Sequence, residues 1–380
     1  MIRDFTTIAA AAAVLIAAVL GVTTHASASN AIATGNWRGD SIWDFSPNGA
    51  ADANISNGFE VTSTDNNSAS DVFLGDNVGA IGTLTITGGA LRTDSGVTVR
   101  GGILNMSGGV LDIGAIRPGL GFEGLVVGEN GSGVGTANIS GGTINIPHVF
   151  NLGALGNSTG NVTQSAGIVN AEEVHVGNNG VGTYNMLGGQ LISSGVLRVG
   201  NHSDSTGSLT ISGSAVLEAQ GGLNVAAEFD DFTRVRGVSG ALNIVGSLAT
   251  IRSGNFNANG GGGPDTSSTS SLAWTIDAGG VSPITVLGAA DLDLAVIDLI
   301  ESVPVSNGTS FELVSATGRI ANAGTITLGP NAAGRYVLSV KPAASAPGQI
   351  LTATRIPEPA ALALAGLGSL GLLARRGRRG

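Results

Sequence analysis

Hydrophobic and polar positions alternate with period two through the middle of the chain, in a segment that recurs seven times. It reads GTLTITGG from Gly82, GILNMSGG from Gly102, GTANISGG from Gly135, GNVTQSAG from Gly160, GTYNMLGG from Gly182, GSLTISGS from Gly207 and GALNIVGS from Gly240. The starts lie 20, 33, 25, 22, 25 and 33 residues apart. Period two is the pattern of a β-strand, whose successive side chains point to opposite faces. Two places after the opening glycine stand Leu84, Leu104, Ala137, Val162, Tyr184, Leu209 and Leu242. Four places after it stand Ile86, Met106, Ile139, Gln164, Met186, Ile211 and Ile244. These columns are expected to stack in a core, with Gln164 the one polar member and Met106 and Met186 as fillers. Between them, on the opposite face, lie Thr85, Asn105, Asn138, Thr163, Asn185, Thr210 and Asn243. Such a ladder lets each side chain hydrogen-bond to its equivalents above and below.

A second strand is expected after each Gly-Gly turn, with the apolar column Leu91, Leu111, Ile144, Val169, Leu191, Val216 and Ala249. A third closes each coil: VFLG from Val72, VTVRG from Val97, LVVG from Leu125, FNLG from Phe150, VHVG from Val174 and LRVG from Leu197. Three strands per repeat of this length predict an all-β fold, a right-handed parallel β-helix or solenoid of about seven coils over 72–256. At about 4.8 Å per coil the rod core would be about 34 Å long.

The flanks read differently. An open solenoid end exposes unpaired strand edges, so a cap is expected. Residues 29–71 are read as an N-terminal cap, anchored in the core by Trp37 and Trp43. The alternative reading of those rings is a carbohydrate-stacking platform. The stretch NANGGGGPDTSSTSS, 257–271, has linker composition. Alternation resumes over 272–355, which predicts a C-terminal β-rich cap or a small sandwich domain.

Composition sharpens this picture. The 380 residues include 62 glycines, 4% aromatics and 12% charged residues, against about 25% charged in an average domain. Low charge with abundant Gly, Thr, Asn, Val and Ile fits short strands joined by tight turns. The formal charge is −10. Between 29 and 356 stand 12 Lys plus Arg against 25 Asp plus Glu, a net of −13. Phosphate binding needs a basic patch, and the only basic run is at the C-terminus, so nucleic acid is not expected as a partner. The chain has no cysteine, which excludes disulfides and thiolate metal sites.

Candidate chemistry is sparse. Parallel β-helices can carry polysaccharide lyases and hydrolases, whose sites are charged clusters on one exposed sheet. The best such cluster is EFDDFTRVR, with Glu228, Asp230, Asp231, Arg234 and Arg236, in a segment that interrupts the repeat. Paired carboxylates there could bind calcium or do acid–base work. The plainer reading is a solvated loop with internal ion pairs, since the alternating calcium-loop pattern is missing. His148, His175 and His202 are spaced evenly but occupy different coil positions, so they are not expected to stack into a metal site. Gly-rich stretches such as GNNGVG do not open a helix after a strand, so a nucleotide site is not expected. No catalytic residue, metal site or cofactor is therefore assigned.

The two termini carry the sharpest signals. Arg3, an apolar stretch over 8–22, and Ala26-Ser27-Ala28 have the form of a secretory signal peptide over 1–28, cut by signal peptidase before Ser29. An uncleaved anchor is the alternative. At the other end, Pro357-Glu358-Pro359 is followed by an apolar run, 360–374, and by Arg375, Arg376, Arg378 and Arg379. Fifteen residues as a helix span about 22 Å, short of the roughly 30 Å hydrocarbon core. The arginines favour the cytoplasmic side.

This tail, 356–380, resembles the PEP-CTERM sorting signal of exopolysaccharide-producing Gram-negative bacteria, in the order motif, short apolar span, basic stop. The resemblance implies recognition and removal near the motif by an exosortase-like membrane enzyme, after transient attachment to the inner membrane. By it, Pro357, Glu358, Pro359 and the four arginines are recognition residues. A plain C-terminal transmembrane helix is the alternative. The rest of the chain resembles a class of such proteins that joins an N-terminal segment, here Asn36, Trp37, Trp43, Pro47, Asn48, Ala53 and Ile55, to autotransporter-like strand repeats. Autotransporters end in a membrane barrel of many strands; this tail does not resemble one, so self-translocation is not expected. The resemblance implies a structural or adhesive protein of the cell surface or extracellular biofilm matrix, with exopolysaccharide as a partner. A secreted β-helix polysaccharide lyase or hydrolase is the competing expectation.

Overall fold

A computed structural model of the chain describes residues 28–39, 41–44, 47, 51–75, 80–114, 124–129, 133–226, 237–258, 268–344 and 347–357. These residues form a parallel β-solenoid with three strands per coil and no α-helix among them. The seven predicted strands lie side by side in one parallel sheet, here called the first sheet. Its register matches the repeats residue for residue: Thr85 pairs with Asn105, Asn105 with Asn138, Asn138 with Thr163, Thr163 with Asn185, Asn185 with Thr210 and Thr210 with Asn243. Both predicted core columns of this sheet are buried. The ladder between them is half-buried except at Asn138, which is exposed and donates from Nδ2 to Asn105 Oδ1 at 3.0 Å.

The opening glycine of each repeat has a packing reason. A Cβ on Gly82 would collide with the carbonyl oxygen of Ile55 in the coil below, and one on Gly182 with the backbone of Gly177. The second glycine of the following turn has a conformational reason, as at Gly189, with φ 76°.

The first sheet contains twelve strands, from Gly35–Asn36 to Thr327–Leu328, so the expectation of about seven coils is too low. Two further strands precede the repeats and three follow them. Eleven spacings of about 4.8 Å make a stack of about 53 Å. The added rungs lack the glycine signature. Ser270, for example, pairs with Gly240 and takes the glycine's place.

The second and third strands make the other two faces. In places they run together as one strand bent at a register shift, as in Thr143–Leu152 against Ile168–Val176. The third-strand column stacks as expected, Val72 on Val97, Leu125, Phe150, Val174 and Leu197. The second-strand column departs twice from expectation. Leu191 pairs with Leu217, not Val216, and Leu217 pairs with Ile251, not Ala249. The turns after Ser212 and Val245 carry one and two extra residues; the first swaps the face that points inward, and the second keeps that face, with Ala249 still buried, and moves the pairing on to Ile251.

Residues 29–71 are not a separate cap. Ser29–Asn30, Ala53–Ile55 and Asn67–Leu74 already pair in parallel as solenoid strands. The capping contact is local. Trp37 and Trp43 are buried edge to face at 5.2 Å, and Trp43 Nε1 donates to Trp37 O at 2.7 Å. Their burial removes the carbohydrate-platform reading. The linker boundary at 257–271 does not divide the fold either, because Phe256–Ala258 and Thr269–Ile276 lie in the solenoid sheets on either side of it. Most of 272–355 continues the solenoid. The sandwich alternative is not found; the cap is an antiparallel hairpin, Tyr336–Pro342 with Gln349–Arg355, attached to Ser310–Ala316.

Candidate functional site

The C-terminal cap ends in a compact charge cluster. Glu301 closes its rung at the end of Val296–Glu301 and is almost covered. Its carboxylate accepts from Arg335 Nη2 at 2.6 Å and from the Tyr336 hydroxyl at 2.7 Å, and pairs with Arg355 Nε at 2.8 Å. Burial first, then the Glu301 carboxylate, pushes the Tyr336 phenol above its ordinary range. The last strand is pinned further by the backbone. Gly308 N donates to Arg355 O at 2.7 Å, Arg355 N to Thr309 O at 2.9 Å, and Ile356 N to Arg335 O at 2.8 Å. Pro357 follows at once and is exposed. The folded body thus ends at Ile356, directly before the predicted recognition residues Pro357, Glu358 and Pro359. Glu358, Pro359, Arg375, Arg376, Arg378 and Arg379 lie outside the described residues.

At the other end, Ser29 begins the first solenoid strand, pairs with Ala53 and is fully buried. Its N–H donates to Asp52 O at 2.7 Å. Of the predicted cleavage residues, Ala28 and Ser29 are described and Ala26 is not. The loop with Glu228, Asp230, Asp231, Arg234 and Arg236 lies outside the described residues as well.

Sequence reading missed two side-chain groups on the flank of the rod. The first lines an open groove of about 480 Å³ where second and third strands meet, with Ile146, Pro147, Ile192, Asn145, Asn170 and Glu172 on its walls. Its amides form a ladder: Asn170 donates to Asn145 at 2.9 Å, and Asn145 to Asp112 at 2.6 Å. His148 stands 3.5 Å from Glu172. The second group is Glu173, His175 and Arg198. Arg198 Nη1 lies 2.6 Å from Glu173 Oε2 and 2.7 Å from His175 Nε2, which is 3.0 Å from the same carboxylate. A guanidinium only donates, so these contacts make opposite demands on the Nε2 proton. The hydrogen bond from His175, with help from Arg198, holds the Glu173 carboxyl down to about 2 against the opposing effect of burial. Period-two outward positions with charged residues two apart were the available signal, and these strands carry it weakly.

The three histidines do not stack. His148 meets Glu172, His175 pairs in register with Arg198, and His202 is exposed. Among the described residues no group of three or more His, Asp or Glu is placed to hold a metal ion. Gln164, the polar member of a core column, is satisfied internally. Its amide donates to Gly167 O and Gln190 O, and its oxygen accepts from the Tyr184 hydroxyl at 2.7 Å. Full burial pushes that phenol above its ordinary range.

Among the described residues no helix is long and apolar enough to cross a membrane, and the apolar run 360–374 lies outside them. No curated protein and no solved structure matches the chain. One family model matches its tail and does not extend to the strand repeats. Residues 355–379 match the PEP-CTERM protein-sorting motif, which marks the chain as an exported protein of the Gram-negative type handled by an exosortase-type sorting system.

Proposed function

We propose that the mature chain is a non-enzymatic rod that serves as a structural or adhesive element of the cell surface or exopolysaccharide matrix, released from its tail by the sorting enzyme. The observation that carries this reading is the position of Pro357-Glu358-Pro359 within the matched segment 355–379, directly after Ile356, the last pinned residue of a continuous solenoid. A tail that starts where the fold stops can be removed without opening the core. The charged side chains also favour a structural role, since they pair locally: Arg92 with Asp112 at 3.5 Å, Arg100 with Glu129 at 2.7 Å and Arg335 with Glu301 at 2.6 Å.

Intact mass and C-terminal peptide mapping of the protein from its host test the reading. The expected mature chain starts at Ser29 and ends near Pro357. Peptides through Leu373 that persist in the membrane fraction would make it a tethered protein instead. A second reading, a glycan lyase or hydrolase, is favoured by the groove beside Glu172. Substituting Glu172→Gln, or Asp231→Ala with Arg234→Ala, is expected to leave glycan binding and turnover unchanged. Loss of turnover would restore the enzyme.

A further inference from the structure

Charge is absent from the middle eight strands of the first sheet. Eight consecutive strands contribute the stretches 81–87, 101–107, 134–140, 159–165, 181–187, 206–212, 239–245 and 269–275. None contains Asp, Glu, Lys or Arg. The outward positions are mostly Thr, Ser and Asn, with the Thr/Asn ladder at the centre. Exposed Ile81, Val134 and Val181 lie on one border, and Leu187 and Val245 on the other. Charge returns in the neighbouring rungs, at Glu60 and Asp298. The other faces carry Arg92, Asp112, Arg100 and Glu129.

We propose that this face is an interface between copies of the chain, with two rods packed laterally, first sheet against first sheet. Residues 29–356 carry a net charge of −13, so two rods repel wherever their charged faces meet. The eight uncharged strands let them touch without opposing like charges. Flat sheets of small side chains interdigitate face to face at a separation of about 10 Å. Eight strands at about 4.8 Å, each about 20 Å wide across the outward columns, give roughly 700 Å². That is close to the roughly 800 Å² per partner of a standard stable interface. A neutral glycan is the rival occupant, but no aromatic ring points outward from these strands for a sugar to stack on. The use of such pairing in a matrix rests on the scaffold reading above; the pairing itself does not.

The absence of native cysteine makes a single introduced thiol a clean reporter. Thr163 sits near the middle of the face, where a two-fold axis would set it against its own equivalent. The experiment uses the exported protein purified from its host. Thr163→Cys is expected to form a disulfide-linked dimer at least tenfold faster than Glu218→Cys, a control on the second-strand face. In sedimentation the unsubstituted protein is expected to shift from monomer to dimer with concentration. Thr163→Lys is expected to stay monomeric at tenfold higher concentration with an unchanged melting temperature, while Glu218→Lys associates normally. A monomer at every concentration overturns the proposal, as does a Thr163→Lys variant that associates like the unsubstituted protein. A monomer that binds a neutral glycan film, and loses that binding in Thr163→Lys, assigns the face to glycan instead. If glycan turnover were found while the dimer persisted, the scaffold reading would fail and the interface would stand.

Discussion

The first sheet and the second-strand face are built from the same coils, yet they keep register differently. Across the first sheet all seven repeats stay aligned. On the second-strand face the inward column moves by one residue at Leu217 and by two at Ile251. The difference lies in what each strand is pinned by. The first strand starts at a glycine whose backbone presses on the coil below, where no side chain fits. The second starts after a turn that tolerates extra residues, so its register is set by which apolar side chains reach the core. Steric exclusion fixes one sheet, and burial chooses the other.

Substituting the pinning glycine breaks the comparison most directly. Gly160→Ala, whose Cβ would collide with Val127 O in the coil below, is expected to cost about 3 kcal/mol, because backbone rather than a flexible side chain must move. Val216→Ala, on the outward side of a strand that burial selects, should cost well under 1 kcal/mol. Thermal or urea unfolding of the two variants measures the contrast, and equal losses would sink it.

The cap offers an effect of similar size. Glu301→Ala leaves the Arg355 and Arg335 guanidinium groups without their shared carboxylate, at an expected cost of about 3–5 kcal/mol. The loss should fall on the hairpin Tyr336–Arg355 before the solenoid. Hydrogen exchange is expected to show the hairpin amides exposed while those of Thr183 to Met186 stay protected. Uniform deprotection would mean that cap and rod unfold as one unit.

Within the first sheet, Tyr184→Phe strips Gln164 Oε1 of its partner in a fully buried site. The expected cost is about 1–3 kcal/mol. Adding Gln164→Leu should recover part of it, since the orphaned side-chain oxygen is then gone and Gly167 O keeps its bond from Gln190 N. A double variant weaker than the sum of both singles would contradict that account.

The smallest effect concerns pH. The Glu173 carboxyl is held near 2 in the fold, below its ordinary value of 4.5. A depressed carboxyl stabilises fully above about 4.5, and that contribution fades as pH falls toward 2. Solvent screening of this half-exposed group keeps it to about 1 kcal/mol or less. Glu173→Gln is expected to flatten the stability profile between pH 4.5 and 2 and to lower the plateau above it. A profile unchanged by the substitution would remove the His175–Arg198 cluster as a source of stability.

Much was legible in the chain alone. The two core columns, the Thr/Asn ladder, the buried tryptophans and the tail motif rest on local signals: period-two alternation, repeated glycines, and a fixed order of motif, apolar run and arginines. Tertiary structure decided the rest. Period two cannot distinguish a stacked coil from a sandwich strand, so Val296–Glu301 and Thr269–Ile276 reveal their place only through pairing with the rung before. Two-residue strands such as Gly35–Asn36 carry no pattern at all. The pairing of Glu301 with Arg355 spans 54 positions, too far for spacing to announce it. The sequence by itself determined the repeating unit and the sorting tail, because each is written in residues close together along the chain. The number of rungs, the register after insertions and the closing of the cap depend on which distant strand lies alongside, and only burial of the assembled core selects that.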